Sequence, residues 1–157
     1  CSLRHRGGVN VLTAFDDLQE DDGDLGWWID PKDVDPRSEE LRQVAVLRMG
    51  RILCPAVSFV AIPNGIKRTQ WEMNKALREG MKAGALDLVA TWAPTNLTPG
   101  VAFIEMKDGT KMPDQNQRDR LNLYTRQGHL CGVFRQEKSV MDFLRRHGAP
   151  FLGRVAA

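Results

Sequence analysis

Gly84-Ala-Leu-Asp87-Leu-Val and Val101-Ala-Phe-Ile-Glu105-Met-Lys107 are two apolar runs, separated by a short turn-rich segment, that carry charge where strands are usually buried. Buried charge is rare unless it is paired, bound to metal or catalytic. Side chains two apart on a strand share a face, so Glu105 and Lys107 project together with Val101 and Phe103, while Ala102, Ile104 and Met106 face the other way. If the strands form a hairpin with Trp92 opposite Gly100, paired positions sum to 192 and Asp87 falls opposite Glu105. Their Cβ atoms would then lie about 4.5–5.5 Å apart. Two carboxylates that close repel unless a cation lies between them, and hard oxygen ligands of this kind suit Mg²⁺ or Mn²⁺. Lys107 beside them can orient an attacking water and offset charge building on a phosphorane. The same spacing also fits a cross-strand salt bridge from Lys107 to Asp87 or Glu105.

The rest of the chain sets limits on this reading. Its 157 residues, 42% hydrophobic and 27% charged, suit one globular domain with its own core. No apolar run approaches the length of a membrane span, and no charged-then-apolar stretch resembles a signal peptide, so neither a span nor a leader is expected. Cys1, Cys54 and Cys131 match neither a zinc pattern nor a disulfide framework, so an intracellular, cytoplasmic setting is expected. No phosphate-binding glycine loop, nucleophile elbow or dinucleotide fingerprint is present, so no small-molecule cofactor and no membrane partner are expected.

The net charge of +2 hides an asymmetry. Residues 1–40 carry 11 Asp/Glu against 4 Lys/Arg, whereas residues 41–157 carry 18 Lys/Arg against 9 Asp/Glu. The basic body suits a polyanionic partner, although a solvated surface gives the same count. Residues 1–37 are expected to form an acidic, poorly ordered arm with one anchored patch at Trp27-Trp28-Ile29. Lying over the basic body, such an arm could restrain the binding of a polyanionic partner.

The domain proper is expected over 38–157. Ser38 caps a helix that ends at Gly50, and residues 57–62 form a strand broken at Pro63-Asn64-Gly65. A capping box at Thr69–Glu72 starts a short helix closed by Gly80, with Trp71 in the core. Strands near 85–92 and 100–107 follow, then a helix from Pro113 to Gly128, a strand over 129–135 and a helix capped by Ser139. The order α-β-α-β-β-α-β-α implies an α/β sandwich around a mixed four-stranded sheet.

Gly84-Ala-Leu-Asp87, then Ile104-Glu105-Met-Lys107, then Gln117 ten residues on, resembles the virus-type replication-repair nuclease (VRR-NUC) domain of the PD-(D/E)xK superfamily. Asn64-Gly65 and Gly128 also fall where that family places them, and the similarity covers about residues 38–148. Leu86 stands where the family commonly has proline, and the acidic arm lies outside its pattern. The resemblance implies a restriction-endonuclease-like core that cleaves DNA with water and Mg²⁺. Asp87 and Glu105 would bind the ion with the Met106 carbonyl, Lys107 would assist the nucleophile, and Gln117 would support the lysine and the DNA backbone. Glu40 or Glu39 on the first helix would add a ligand through water, although each also serves as an N-terminal helix charge.

The resemblance further implies a phage-type junction nuclease acting in a bacterial host. Cutting two strands of branched DNA with one active site per chain implies a homodimer. A restriction-type or nicking nuclease, an RNA-processing hydrolase and a non-catalytic binding module are the alternatives. Lys67, Arg68, Lys111 and Arg118 are candidate phosphate contacts, against the default of solvated charge. Gln115 is a decoy for Gln117. Trp92 is expected to pack under its loop, Cys54 and Cys131 to be buried, and the three histidines to have no role.

Overall fold

The computed structural model describes residues 26–63, 69–94 and 100–153. The elements are β1 (Trp28–Ile29), α1 (Glu39–Leu53), β2 (Ser58–Ala61), α2 (Gln70–Arg78), β3 (Leu88–Thr91), β4 (Val101–Met106), α3 (Gln115–Arg126), β5 (Leu130–Phe134) and α4 (Glu137–Arg146). They form one sheet in the order β1-β5-β4-β3-β2. β1, β5 and β4 are parallel neighbours, while β3 pairs antiparallel with both β4 and β2. Leu88 pairs with Ile104 and Thr91 with Val101, which is the sum-192 register expected from the hairpin.

Strand alternation divides the core in two. Leu88, Ala90, Ala102, Ile104, Met106 and Phe134 pack against Val46 of α1 and Val140, Met141 and Leu144 of α4. On the opposite face Leu86, Phe103, Cys131 and Val133 meet Leu121 and Tyr124 of α3, and Trp27. Cys54 and Cys131 are buried free thiols, and Trp92 lies in the first core. No helix among the described residues is long and apolar enough to cross a membrane.

Four expectations need correction. The sheet has a fifth strand, β1, at the patch expected to be anchored, in a segment otherwise expected to be poorly ordered. Two residues are too short to show alternation, and side chains distant in sequence hold them. Gly132 leaves room for the Trp28 backbone and Cβ, Trp27 Nε1 donates to Asn122 at 2.9 Å, and Asp30 accepts from the Arg135 N–H at 2.8 Å. Residues 26–37 therefore belong to the fold; residues 1–25 lie outside the described residues. Gly50 does not end α1, which runs on to Leu53, because the glycine serves a close approach to the Phe59 ring. α4 starts at Glu137 after Gln136, without a side-chain cap and before Ser139. Trp71 is not core: it is 66% exposed on α2, a helix with its capping box in place and no buried residue.

Arg42 of α1 is fully buried and organises the 30–37 segment. Its Nε donates to Arg37 O at 2.9 Å, and Nη1 to Asp33 Oδ2 at 2.7 Å and Arg135 O at 2.6 Å. Nη2 donates to Asp33 Oδ1 at 2.9 Å and Asp35 O at 2.7 Å. A buried guanidinium is tolerable when all its donors are matched in this way. The pair holds the Asp33 carboxyl well below the usual carboxylate range, chiefly through the Arg42 hydrogen bonds.

Candidate active site

The charged residues of the hairpin meet where β3 begins and β4 ends, beside the start of α3. Asp87 immediately precedes β3, and its carbonyl accepts from Ile62 N at 2.8 Å, which anchors it to the β2 side. Its side chain turns to β4 and accepts from the Met106 N–H at 2.8 Å. A residue's N–H and C=O point to the same side of a strand, so the Met106 carbonyl also faces the Asp87 side. Leu88 belongs to the α1/α4 core, so alternation sends Asp87 to the α3 face, which Glu105 shares.

Glu105 is 1% exposed. Its Oε1 accepts from Lys107 Nζ and from Gln117 Nε2, each at 2.5 Å, while Oε2 is buried with no partner. Gln117 is held by a capping box at the head of α3. Asp114 Oδ1 accepts from Gln117 N at 2.9 Å, and Gln117 Oε1 accepts from Asp114 N at 3.0 Å. One glutamine thus caps the start of the helix and grips the buried acid. Gln115 instead donates to Asp119 on the exposed side of the helix.

Gly84 explains why the loop before Asp87 needs glycine. It adopts φ +72°, and a Cβ there would collide with the Asn116 carbonyl and the Gln117 nitrogen. The glycine therefore lets the Asp87 loop lie against the α3 backbone that presents Gln117.

The electrostatics follow from burial. Desolvation first, and then the neighbouring Asp87, push the Glu105 carboxyl up to about 8, against the pull of Lys107. Burial also raises Asp87, opposed by the Met106 N–H and Lys107. Burial works against the Lys107 ammonium, but its hydrogen bond to Glu105 and the charges of Glu105, Glu39 and Asp87 hold it above its ordinary value. The cluster thus retains a proton near neutral pH that a cation would release.

Among the described residues, no three His, Cys, Asp or Glu side chains form a ready metal cage. Two carboxylates, one with an orphaned buried oxygen, and an adjacent backbone carbonyl nevertheless fit a hard cation that keeps several waters, as Mg²⁺ does.

The first-helix acid nearest the site is Glu39: its Oε1 lies 4.0 Å from Lys107 Nζ and 3.9 Å from Lys111 Nζ. Glu40 is exposed and forms no ion pair with either lysine, so the structure brings Glu39, not Glu40, to the cluster. Lys111 is exposed at the rim and also pairs with Asp108 at 3.1 Å. Arg118 is half-buried, next to Gln117 on α3. Lys67, Arg68 and Asn64-Gly65 lie outside the described residues. The capping role of Asp114 went unread in the sequence, although the Asp114-x-x-Gln117 spacing signals it.

Neither a family model nor a curated protein matches the sequence. A solved structure described as a VRR_NUC domain protein superposes with a TM-score of 0.58 and 20% identity, covering 73% of this chain and 91% of that one. Taken with the D…ExK…Q residues gathered at one end of the sheet, that superposition identifies the fold of this chain as VRR-NUC-like.

Proposed function

We propose that the protein is a Mg²⁺-dependent DNA endonuclease that hydrolyses phosphodiester bonds in branched DNA, such as four-way junctions, as a homodimer. The observation that carries this reading is the unpartnered, buried Glu105 Oε2 beside Asp87 and Lys107. Asp87, Glu105 and the Met106 carbonyl would hold the ion, with Glu39 contributing through water. Bound Mg²⁺ (or Mn²⁺) supplies Lewis acidity, which lowers the pKa of a water and offsets charge on phosphate oxygens.

The chain's own residues do the rest. Lys107, fixed by Glu105, orients the attacking water and stabilises developing negative charge. Gln117 holds Glu105 in one rotamer, so the acid meets its ligand without reorganising. Lys111 and Arg118 flank the cluster and would position phosphates, as would Lys67 and Arg68. A single active site per chain makes paired cleavage the work of two copies.

Incubating the protein with junction, flap and linear duplex DNA, in Mg²⁺ or in EDTA, tests the reading. Metal-dependent cleavage, fastest on the junction, is expected. No cleavage of any substrate would leave a binding module, and cleavage of RNA alone would redirect the assignment to RNA processing.

A pH effect follows from Glu105. An acid whose pKa is raised on folding keeps a proton that the unfolded chain has released, so stability falls as pH rises from about 4.5 towards about 8. In EDTA the loss over that window is expected to be on the order of 2 kcal/mol. Thermal melts should show it in the native protein but not in Glu105→Gln, and Mg²⁺ should stabilise most at the alkaline end. Identical pH slopes for the two proteins would contradict this electrostatic account.

A further inference from the structure

Arg135 is, among the described residues, the second fully buried arginine, and its situation is the reverse of that of Arg42. Its backbone is clamped: the N–H donates to Asp30 Oδ2 at 2.8 Å, and the carbonyl accepts from Arg42 Nη1 at 2.6 Å. Its side chain is not. Nε and Nη1 are buried without a hydrogen-bond partner, and Nη2 meets the Met112 sulfur at 3.7 Å. Among the described residues no carboxylate forms an ion pair with it. A thioether is a weak acceptor and returns little of what desolvating a guanidinium costs. Buried donors of this kind need a partner that the described side chains do not supply, water or an anion, and a guanidinium favours the anion.

The sheet determines where that anion would sit. β4 and β5 are parallel, with Glu105 beside Val133 and Met106 beside Phe134, and Lys107 N donates to Phe134 O at 2.9 Å. One step further along, Arg135 stands beside Lys107. Val133 packs on the α3 face and Phe134 on the other, so alternation returns Arg135 to the face of Glu105 and Lys107. Its cover is thin: Met112 is 45% exposed, in the loop between β4 and α3.

We infer that Arg135 is a phosphate-binding residue of the same site, covered by Met112 in the free protein and engaged when a DNA phosphodiester displaces the thioether. This rests on the nuclease reading for its ligand. A guanidinium matches two phosphate oxygens at once, and displacement exchanges a poor sulfur contact for two charge-assisted hydrogen bonds.

The test measures binding of the full chain to a labelled duplex in EDTA across a salt series, for the native protein, Arg135→Met and Met112→Ala. Arg135→Met should bind about tenfold more weakly, and its slope of log K against log salt should be shallower by about 0.9, the loss of one phosphate contact. Its melting temperature should not fall, since an apolar side chain of similar length replaces an unmatched buried cation. Met112→Ala, at a half-exposed loop position, should bind more tightly than the native protein. Native affinity and salt slope in Arg135→Met overturn the inference, as does a lowered melting temperature with native slope, which marks a structural residue. If Arg135→Met does not fold, unchanged affinity in Met112→Ala decides against the inference. A shallower slope in a protein that cuts nothing would retain the phosphate contact and remove the nuclease reading; absence of DNA binding by the native chain would remove both.

Discussion

Lys107→Ala is expected to reduce metal-dependent cleavage by about 10²–10⁴-fold while leaving DNA affinity within a few-fold of native. The asymmetry arises because Lys107 is 7% exposed and its ammonium is spent on Glu105, so it offers little to the phosphate backbone before reaction. Its removal leaves Glu105 Oε1 with Gln117 Nε2 as donor and takes away the one cation that, among the described residues, acts on both acids. Single-turnover cleavage and equilibrium binding in EDTA separate the two quantities. Full activity with unchanged binding would exclude Lys107 from the chemistry, even with the fold intact. Asp87 calls for a different substitution, because its Oδ2 also accepts from Met106 N. Asp87→Ala would orphan that N–H at about 1–3 kcal/mol, whereas Asp87→Asn keeps an acceptor and removes only the charge.

Much of this site was legible because its geometry is local. Once Trp92 is placed opposite Gly100, antiparallel arithmetic carries the register to Asp87 and Glu105 without knowledge of any other element. Gln117 was legible through its distance from Lys107, and the structure supplies the reason: a capping box fixes it at the head of α3. The choice between Glu39 and Glu40 was not legible, since it depends on how α1 is rotated. That rotation is set by the buried stripe Arg42, Val46 and Gly50, from the middle of which Glu39 lies roughly 20° away and Glu40 roughly 120°. Recognising it requires treating an arginine as core, against the usual preference of that residue. That the anchored patch at Trp27-Trp28-Ile29 is a sheet strand was not legible for a related reason. What holds Trp27 to Asp30 in place comes from residues about a hundred positions away, Asn122 and Arg135. At Trp71 the capping signal correctly gave the existence of a helix, but capping says nothing about what a helix packs against.

Arg42→Ala is expected to destabilise the protein by about 3–5 kcal/mol, the cost of breaking a buried ion pair by removing one partner. The deletion strands the Asp33 carboxylate with Gln136 Nε2 and removes a donor from the carbonyls of Asp35, Arg37 and Arg135. For a domain of this size the loss corresponds to a fall of roughly 6–20 °C in melting temperature. Arg42→Lys should recover only part of it, because three donors on a point charge cannot reproduce a fork that makes five hydrogen bonds. Arg37, which pairs with Asp35 and Glu137 from a side chain that is 31% exposed, provides the internal contrast. Arg37→Ala should cost about 1 kcal/mol, since solvent screens what it loses. Urea unfolding of the three variants gives the ranking, and an Arg42→Ala protein within about 1 kcal/mol of native would show that the 30–37 segment is dispensable. The same contacts change what a truncation to residue 38 would do. Removing Trp27, Asp30 and Asp33 along with the acidic charge strips β1 from β5 and leaves the Arg42 guanidinium buried without its carboxylate. Such a truncation should melt early, and with it the first turn of α1 that carries Glu39 to Lys107.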